Sequence, residues 1–455
     1  MTEITYSEVT ADVLRTLVRP KPAYFLLLLG FVTALGTGVF SLAVQVDVGI
    51  GLSGISHPIG WGFYITNFVF WIGIGHAGTL ISAIFFITRA PWRTPIYRAA
   101  EGMTVFAVMT AGLFPILHMG RPWYGYWLIP YPNSRMLWVN FKSPLLWDVF
   151  AVSTYLTISV TFFIVGLIPD LASMRDSTKG PRKLLYTILA VGWTNSYQQW
   201  IHYARAYILL AALATPLVFS VHSIVSWDFA MSNVPGWHST IFAPYFVAGA
   251  IFSGLAMVLT ITIPMRVIFG LEKYITDHVL QSVARVILFT SIIVGYAYTT
   301  EFFMSWYSGI PAERGQFYFR AFGDPALLPF SEGSTLGFPQ IAFWIMVFCN
   351  IFAPLPLWRY KIRTNLVALF IISILINIGM WFERFNIIVN SLQRDYNPQV
   401  WGSYTPTIIE TGITLGSFGF FFTLFALFVR SIPALSIAQL KENLDPPRKN
   451  PTQQD

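Results

Sequence analysis

The sequence predicts an all-α, polytopic membrane protein, and three observations carry that prediction. Only 11% of the 455 residues are charged, where a soluble globular chain carries about one quarter. Hydrophobic residues make up 55% and aromatic residues 17%, with a mean hydropathy of +0.60. Ten segments stay apolar and nearly uncharged over the roughly 20 residues that a helix needs to cross a bilayer. So few charges cannot cover a water-soluble surface, and the same apolar content excludes a disordered chain.

The elements follow in order along the chain. Residues 1–22 are mixed in charge and lack the short apolar core and small-residue cleavage site of a removable signal peptide, so they read as a cytoplasmic N-terminal segment. A first flanking helix spans 23–45. Spans near 60–88, 98–118, 144–168 and 204–226 make a first four-helix bundle over 60–226, and spans near 240–268, 277–308, 338–358 and 364–389 make a second over 240–389. A last flanking helix covers 407–430, and residues 431–455 form a cytoplasmic tail whose end has a disordered composition. Spans longer than 20 residues imply tilt or protrusion rather than extra crossings. Between Lys183 and Trp200 the chain is apolar for about 14 residues and then polar, which predicts an interfacial helix. His57 and Tyr64 recur as His238 and Tyr245, both 181 residues on, as two similar bundles would require.

Charge fixes the topology. Of 28 Lys and Arg residues, 19 fall on the side of the N-terminus, 6 on the opposite side, and Arg205, Arg285 and Arg384 lie in or at the edge of spans. This bias predicts a multi-pass protein of the bacterial inner membrane with both termini cytoplasmic, and explains the net charge of +7 without nucleic acid. The outward loops 119–143 and 309–337 are rich in Pro, Gly, Trp and Tyr, the composition of a rigid platform for a partner at the interface. The single cysteine, Cys349, excludes an intramolecular disulfide, a Cys-rich zinc site, a four-thiolate iron–sulfur cluster and a c-type haem motif. No span has two well-separated histidines for paired haems, and there is no GxxxxGK[ST] loop. The chain is therefore expected to bind no haem, cluster or metal, and any redox chemistry needs a diffusible carrier and a partner bearing the metal centres.

Ionisable groups inside spans each cost about 2.5–3.5 kcal/mol on insertion scales and so call for an account. They are His76, Glu101, His118, Asp148, Arg205, His222, Asp277, Arg285, Glu301, Glu383, Arg384 and Glu410. Snorkelling at span ends accounts for Arg205, Asp277, Glu383, Arg384 and Glu410. Glu101 and His118 are 17 residues apart, roughly 26 Å along a helix, and mark opposite ends of the third span. Asp148 opens the next span on the outer side, so His118, Arg121 and Asp148 converge there. A histidine and a carboxylate suit the deprotonation of a hydroquinone, and Arg121 suits an ionised carboxylate. An ordinary loop–helix junction, with His118 as a C-terminal cap and Asp148 as an N-terminal helix charge, fits equally well. His76, in GIGHAG, reads either as a hydrogen-bonded core residue or as a relay from Glu101 to the outer half, with His222, Asp277, Arg285 and Glu301 as a second, parallel set.

Three stretches carry a family resemblance: GHAGTLISAI in the second span, WRTPIYRAAEGMTVFAV entering the third and FPILHMGRPW leaving it. With them the whole chain resembles the NrfD/polysulfide-reductase membrane-subunit family, and within it the larger of the NrfD-like membrane proteins of alternative complex III. The resemblance implies two four-helix bundles and a menaquinol or similar quinol site at the periplasmic face. It implies an enzyme complex that oxidises quinol, with a periplasmic iron–sulfur subunit, multihaem cytochrome c subunits and a second NrfD-like membrane subunit as partners. His118 and Asp148 carry over as quinol-site residues, and His76 and Glu101 as members of a proton path. Two alternatives remain: the membrane anchor of a polysulfide or similar molybdopterin reductase, and a proton-coupled secondary transporter.

Overall fold

The computed structural model describes residues 5–18, 20–131, 140–323, 337–442 and 444, and among them the regular structure is helical apart from one Ser56–Ile59 bridge. The helices are α1 (Tyr6–Val18), α2 (Pro22–Val48), α3 (Phe63–Ile87), α4 (Tyr97–His118), α5 (Pro144–Ser177), α6 (Pro181–Leu189), α7 (Tyr197–Ala230), α8 (Phe242–Phe269), α9 (Asp277–Tyr307), α10 (Pro311–Phe322), α11 (Phe338–Trp358), α12 (Leu366–Asn390), α13 (Ile408–Ser431) and α14 (Ile437–Glu442). Ten of these are long and apolar enough to cross a membrane: α2 to α5, α7 to α9, and α11 to α13. They coincide with the ten expected spans, which makes this an all-α multi-pass membrane protein.

Two helices outrun their expected spans, because polar residues mask the continuation of a helix beyond the apolar stretch. Helix α5 continues past residue 168 to Ser177. Helix α7 begins at Tyr197, where Ser196 accepts from the Gln199 backbone N–H and the Gln199 side chain reaches back, a reciprocal cap that starts a helix firmly. The stretch expected as one interfacial helix is thus divided: α6 ends at Leu189, and Trp200 already belongs to α7.

Packing is centred on α3 and α8. Almost every residue of α3 from Phe63 to Thr79 is buried, and α3 packs against α4, α8 and α12. Helix α8 packs against α3, α7, α9 and α12, α5 joins α4 to α7, and α11 packs on α12. The repeated pair lies at the start of these central helices, where Tyr64 and Tyr245 are both buried. Gly78 shows why small residues surround His76: a Cβ there would lie 2.2 Å from the Ala100 carbonyl oxygen, so α3 and α4 could not approach as they do. Helix α2 packs chiefly on α13, where a Cβ on Gly38 would lie 2.4 Å from the Gly416 Cα. Helix α1 packs on α13 and α14, which gathers both ends of the described chain on one side, called here the termini side. Residues 1–4, 19, 132–139, 324–336, 443 and 445–455, parts of the expected N-terminal segment, both outward loops and the tail, lie outside the described residues.

Candidate functional site

Three groups of buried polar side chains follow one another through α3, α4, α5 and α7. The first is on the far side. Helix α4 ends at His118, followed by Gly120 at φ +73, a left-handed conformation that glycine takes without a Cβ clash. Helix α5 opens with Pro144, suited to a first helical turn, and brings in Asp148 at 6% exposure. Helix α7 brings Asp228 in its last turn. The carboxyls of Asp148 and Asp228 face each other directly, and each leaves an Oδ1 buried without a protein partner. His118 Nδ1 is likewise buried and unpartnered. The His118 ring packs on Tyr64, centroids 5.8 Å apart; the Tyr64 hydroxyl donates to Gln45 Oε1 at 2.5 Å, and Gln45 Nε2 donates to the Leu117 carbonyl at 3.3 Å. A cavity of about 530 Å³ opens nearby, lined by Trp147, Trp227, Met231 and His238.

The expected trio is only partly assembled. His118 and Asp148 come to the same end of the array, yet no hydrogen bond or ion pair joins them among the described residues. Arg121 is exposed and forms no ion pair there. Its backbone, at φ −124 and ψ 89, leaves the helix and leads into a 3-10 turn from Pro122 to Leu128. The group that meets Asp148 is Asp228, two residues beyond the expected end of its span. A signal for it stands in the sequence: the dipeptide Trp–Asp occurs at 147–148 and again at 227–228.

The second group lies mid-helix. His76 Nδ1 pairs with the Ile72 carbonyl at 2.6 Å, its ring stacks on Tyr155 at 4.9 Å, and the His222 ring lies 4.8 Å away. Tyr155 meets Thr79 Oγ1 at 2.7 Å and donates to the Gly75 carbonyl at 3.0 Å. His76 Nε2 and both His222 nitrogens are buried without partners, the pattern that internal water normally satisfies.

The third group is at the termini side. Arg98 is fully buried and pairs with Glu101 Oε2 at 3.0 Å and Asp170 Oδ2 at 3.1 Å, while the Tyr207 hydroxyl donates to Glu101 Oε1 at 3.0 Å. Asp170 Oδ1 also accepts from the Ala438 backbone N–H, so α14 closes over the cluster. By sequence alone Arg98 counts among the loop cations; burial between two carboxylates is a tertiary fact, as charges this deep persist only when paired.

The expected second set does not converge. Asp277 pairs with Arg266 at 2.6 Å and its side chain is 58% exposed, and Arg285 is exposed. Glu301 pairs with Arg320 of α10 at 3.3 Å, and His222 sits with His76. The charged group of the second half that approaches His222 is Arg384, whose guanidinium lies 4.3 Å above the Phe246 ring, itself 5.7 Å from His222. Arg384 pairs with Glu383 at 2.9 Å, and the Tyr298 hydroxyl donates to Glu383 and accepts from Asn350. Glu383 and Arg384 are therefore buried and ion-paired with each other rather than snorkelling, and Arg384 Nη2 has no hydrogen-bond partner among the described residues. Glu410 is also buried, accepting from the Tyr404 hydroxyl and the Gly54 N–H while completing the α13 cap. Among the described residues no group of three or more His, Cys, Asp or Glu is placed to hold a metal ion.

The family model described as polysulphide reductase, NrfD, matches residues 51–394. The chain is 24% identical over 403 residues to a putative dimethyl sulfoxide reductase membrane subunit of Halobacterium salinarum, covering 83% of this chain and 84% of that one. It is 23% identical over 437 residues to a selenate reductase subunit of Mesobacillus selenatarsenatis, covering 91% of this chain and 95% of that one. The matched residues include the helices that carry all three polar groups, and the chain belongs to the NrfD family of polysulphide-reductase membrane proteins.

Proposed function

We propose that this chain is the quinol-oxidising membrane subunit of an electron-transfer complex, taking menaquinol or a similar quinol at its far side. The reading is supported by three buried, unpartnered atoms at that side, His118 Nδ1 at the end of α4 and the facing Asp148 Oδ1 and Asp228 Oδ1. A dihydroxy ring needs acceptors for two hydroxyl protons, and these side chains fit that need. When bound, the quinol supplies two electrons and two protons. His118 and the Asp148–Asp228 pair accept the protons, and Tyr64 holds the His118 ring in place by packing. Arg121, exposed beside the site, has no role in this reading beyond the positive charge it adds at the surface. The bias of Lys and Arg toward the termini side supports a cytoplasmic location for both ends, which puts the quinol site at the periplasmic face of a bacterial inner membrane.

The electrons pass to a partner iron–sulfur subunit. The two relatives carry the names of reductase subunits, which favours a reductase-type complex with a catalytic subunit beyond the iron–sulfur protein. The alternative complex III arrangement, with multihaem cytochromes and a second NrfD-like subunit, is the second reading, favoured by the likeness of GHAGTLISAI and FPILHMGRPW. Proton translocation would use the Arg98–Glu101 cluster and the His76–His222 pair, which lie in sequence between the two sides. The test is anaerobic addition of a menaquinol analogue to the gently solubilised complex, with its subunits identified and its iron–sulfur signal followed. Reduction of a partner's cluster is expected. A chain that purifies alone, or a cluster that stays oxidised, overturns the reading.

A further inference from the structure

Helix α2 faces outward along most of its length and buries only Tyr24, Gly38, Ser41 and Gln45. The last three, spaced 3 and 4 residues apart, share one helical face. Gly38 and Ser41 belong to the seam with α13, where they stand against Gly416 and Gly412. Gln45 continues that face toward the far side and is its exception, a fully buried amide in a helix of mostly exposed apolar residues. A buried amide costs free energy unless both its oxygen and its nitrogen find partners.

Both ends of the Gln45 amide bear on His118. Its Oε1 accepts from the Tyr64 hydroxyl of α3 at 2.5 Å, and the Tyr64 ring packs on the His118 ring, centroids 5.8 Å apart at an interplanar angle of 46°. Its Nε2 donates at 3.3 Å to the Leu117 carbonyl, which belongs to the peptide bond leading into His118. The same carbonyl accepts from the Gly120 backbone N–H at 3.1 Å, where the chain leaves α4. One side chain of α2 thus reaches His118 twice, through its backbone and through its ring. His118 Nδ1 takes no protein hydrogen bond of its own, so nothing at that nitrogen fixes the imidazole directly. A proton acceptor must stand within about 2.6–3.2 Å of the group it deprotonates, and a shift of about 1 Å can cost a large factor in rate.

We propose that Gln45 is a positioning residue of the far-side site, a role that rests on the quinol reading: through Tyr64 and the Leu117 carbonyl it sets the place where His118 receives a quinol proton. A flanking helix outside both bundles thereby acts on the chemistry. The test is steady-state quinol oxidation by the intact complex carrying Gln45→Met or Tyr64→Phe, each alone and each together with His118→Ala. Either change alone is expected to lower kcat about tenfold, the effect of roughly one hydrogen bond, with KM unchanged. With His118→Ala in place, neither is expected to lower the residual rate further, because the group being positioned is gone. Tyr64→Phe keeps the ring and its packing, so the comparison stands even if Gln45→Met fails to assemble. Wild-type kcat in both variants overturns the proposal, while the quinol reading survives if His118→Ala alone lowers the rate. A fall of the same size in the His118→Ala background also overturns it, as the mark of a general structural effect. A His118→Ala complex that oxidises quinol at the wild-type rate overturns the quinol reading itself, and this role with it.

Discussion

The imidazole rings of His76 and His222 lie 4.8 Å apart at an interplanar angle of 57°, and three of their four nitrogens have no protein partner. They come from different helices, α3 and α7, and both are fully buried. If this pair relays protons through water, its two members act as one unit. Replacing either with leucine is expected to abolish proton movement across reconstituted vesicles beyond the protons that quinol oxidation itself releases, while quinol oxidation continues. The double variant should be no worse than either single one. The ratio of protons moved to electrons transferred is the measurement, and an unchanged ratio in both single variants removes the pair from the path.

Arg98 is expected to be the most costly single residue to remove from the termini-side cluster. Its loss leaves Glu101 and Asp170 buried without a counter-charge, an arrangement that costs about 3–5 kcal/mol. Arg98→Met should therefore lower the thermal unfolding temperature of the solubilised complex markedly. Neutralising the partners in the same chain, with Glu101→Gln and Asp170→Asn, should recover much of the loss. A triple variant as unstable as the single one would show that packing, not charge, dominates there.

The α2–α13 seam makes a sharper steric prediction. Gly416→Leu puts side-chain atoms where the Gly38 backbone stands, and overpacking of this kind costs about 1–3 kcal/mol or more. Gly30→Leu, on the same helix α2, meets nothing within 4 Å and is expected to be silent. Thermal unfolding of the two variants side by side distinguishes a specific seam from a general intolerance of α2.

Much of this architecture is legible in the chain because hydrocarbon imposes a simple rule: a crossing helix must be apolar for its full length, and ten segments are. The rule fails where a helix continues into polar surroundings, which is why the start of α7 and the ends of α5 and α7 lie outside the expected spans. His118 and Asp148 are legible as candidates because each closes or opens a span. Asp228 is hidden by lying just past an apolar stretch, and its meaning comes only from α5 and α7 lying antiparallel, so that two Trp–Asp pairs reach the same end. The reverse holds at Arg121, whose closeness in sequence to His118 implies a contact that the turn at Pro122 undoes. Asp277, Arg285 and Glu301 look equivalent as charges in one span, but Arg285 faces outward, Asp277 is exposed and pairs with Arg266, and Glu301 pairs with Arg320.

The most direct test of the far-side site is the rate of quinol oxidation by the intact complex carrying His118→Ala, Asp148→Asn or Asp228→Asn. Each change removes a proton acceptor, and the expected fall is about 100-fold or more, with every partner still assembled. Asp228→Asn matters most, since its effect is expected only if the carboxyl pair works together. Rates that stay at the wild-type level in all three variants would contradict the assignment of quinol chemistry to this end of the protein.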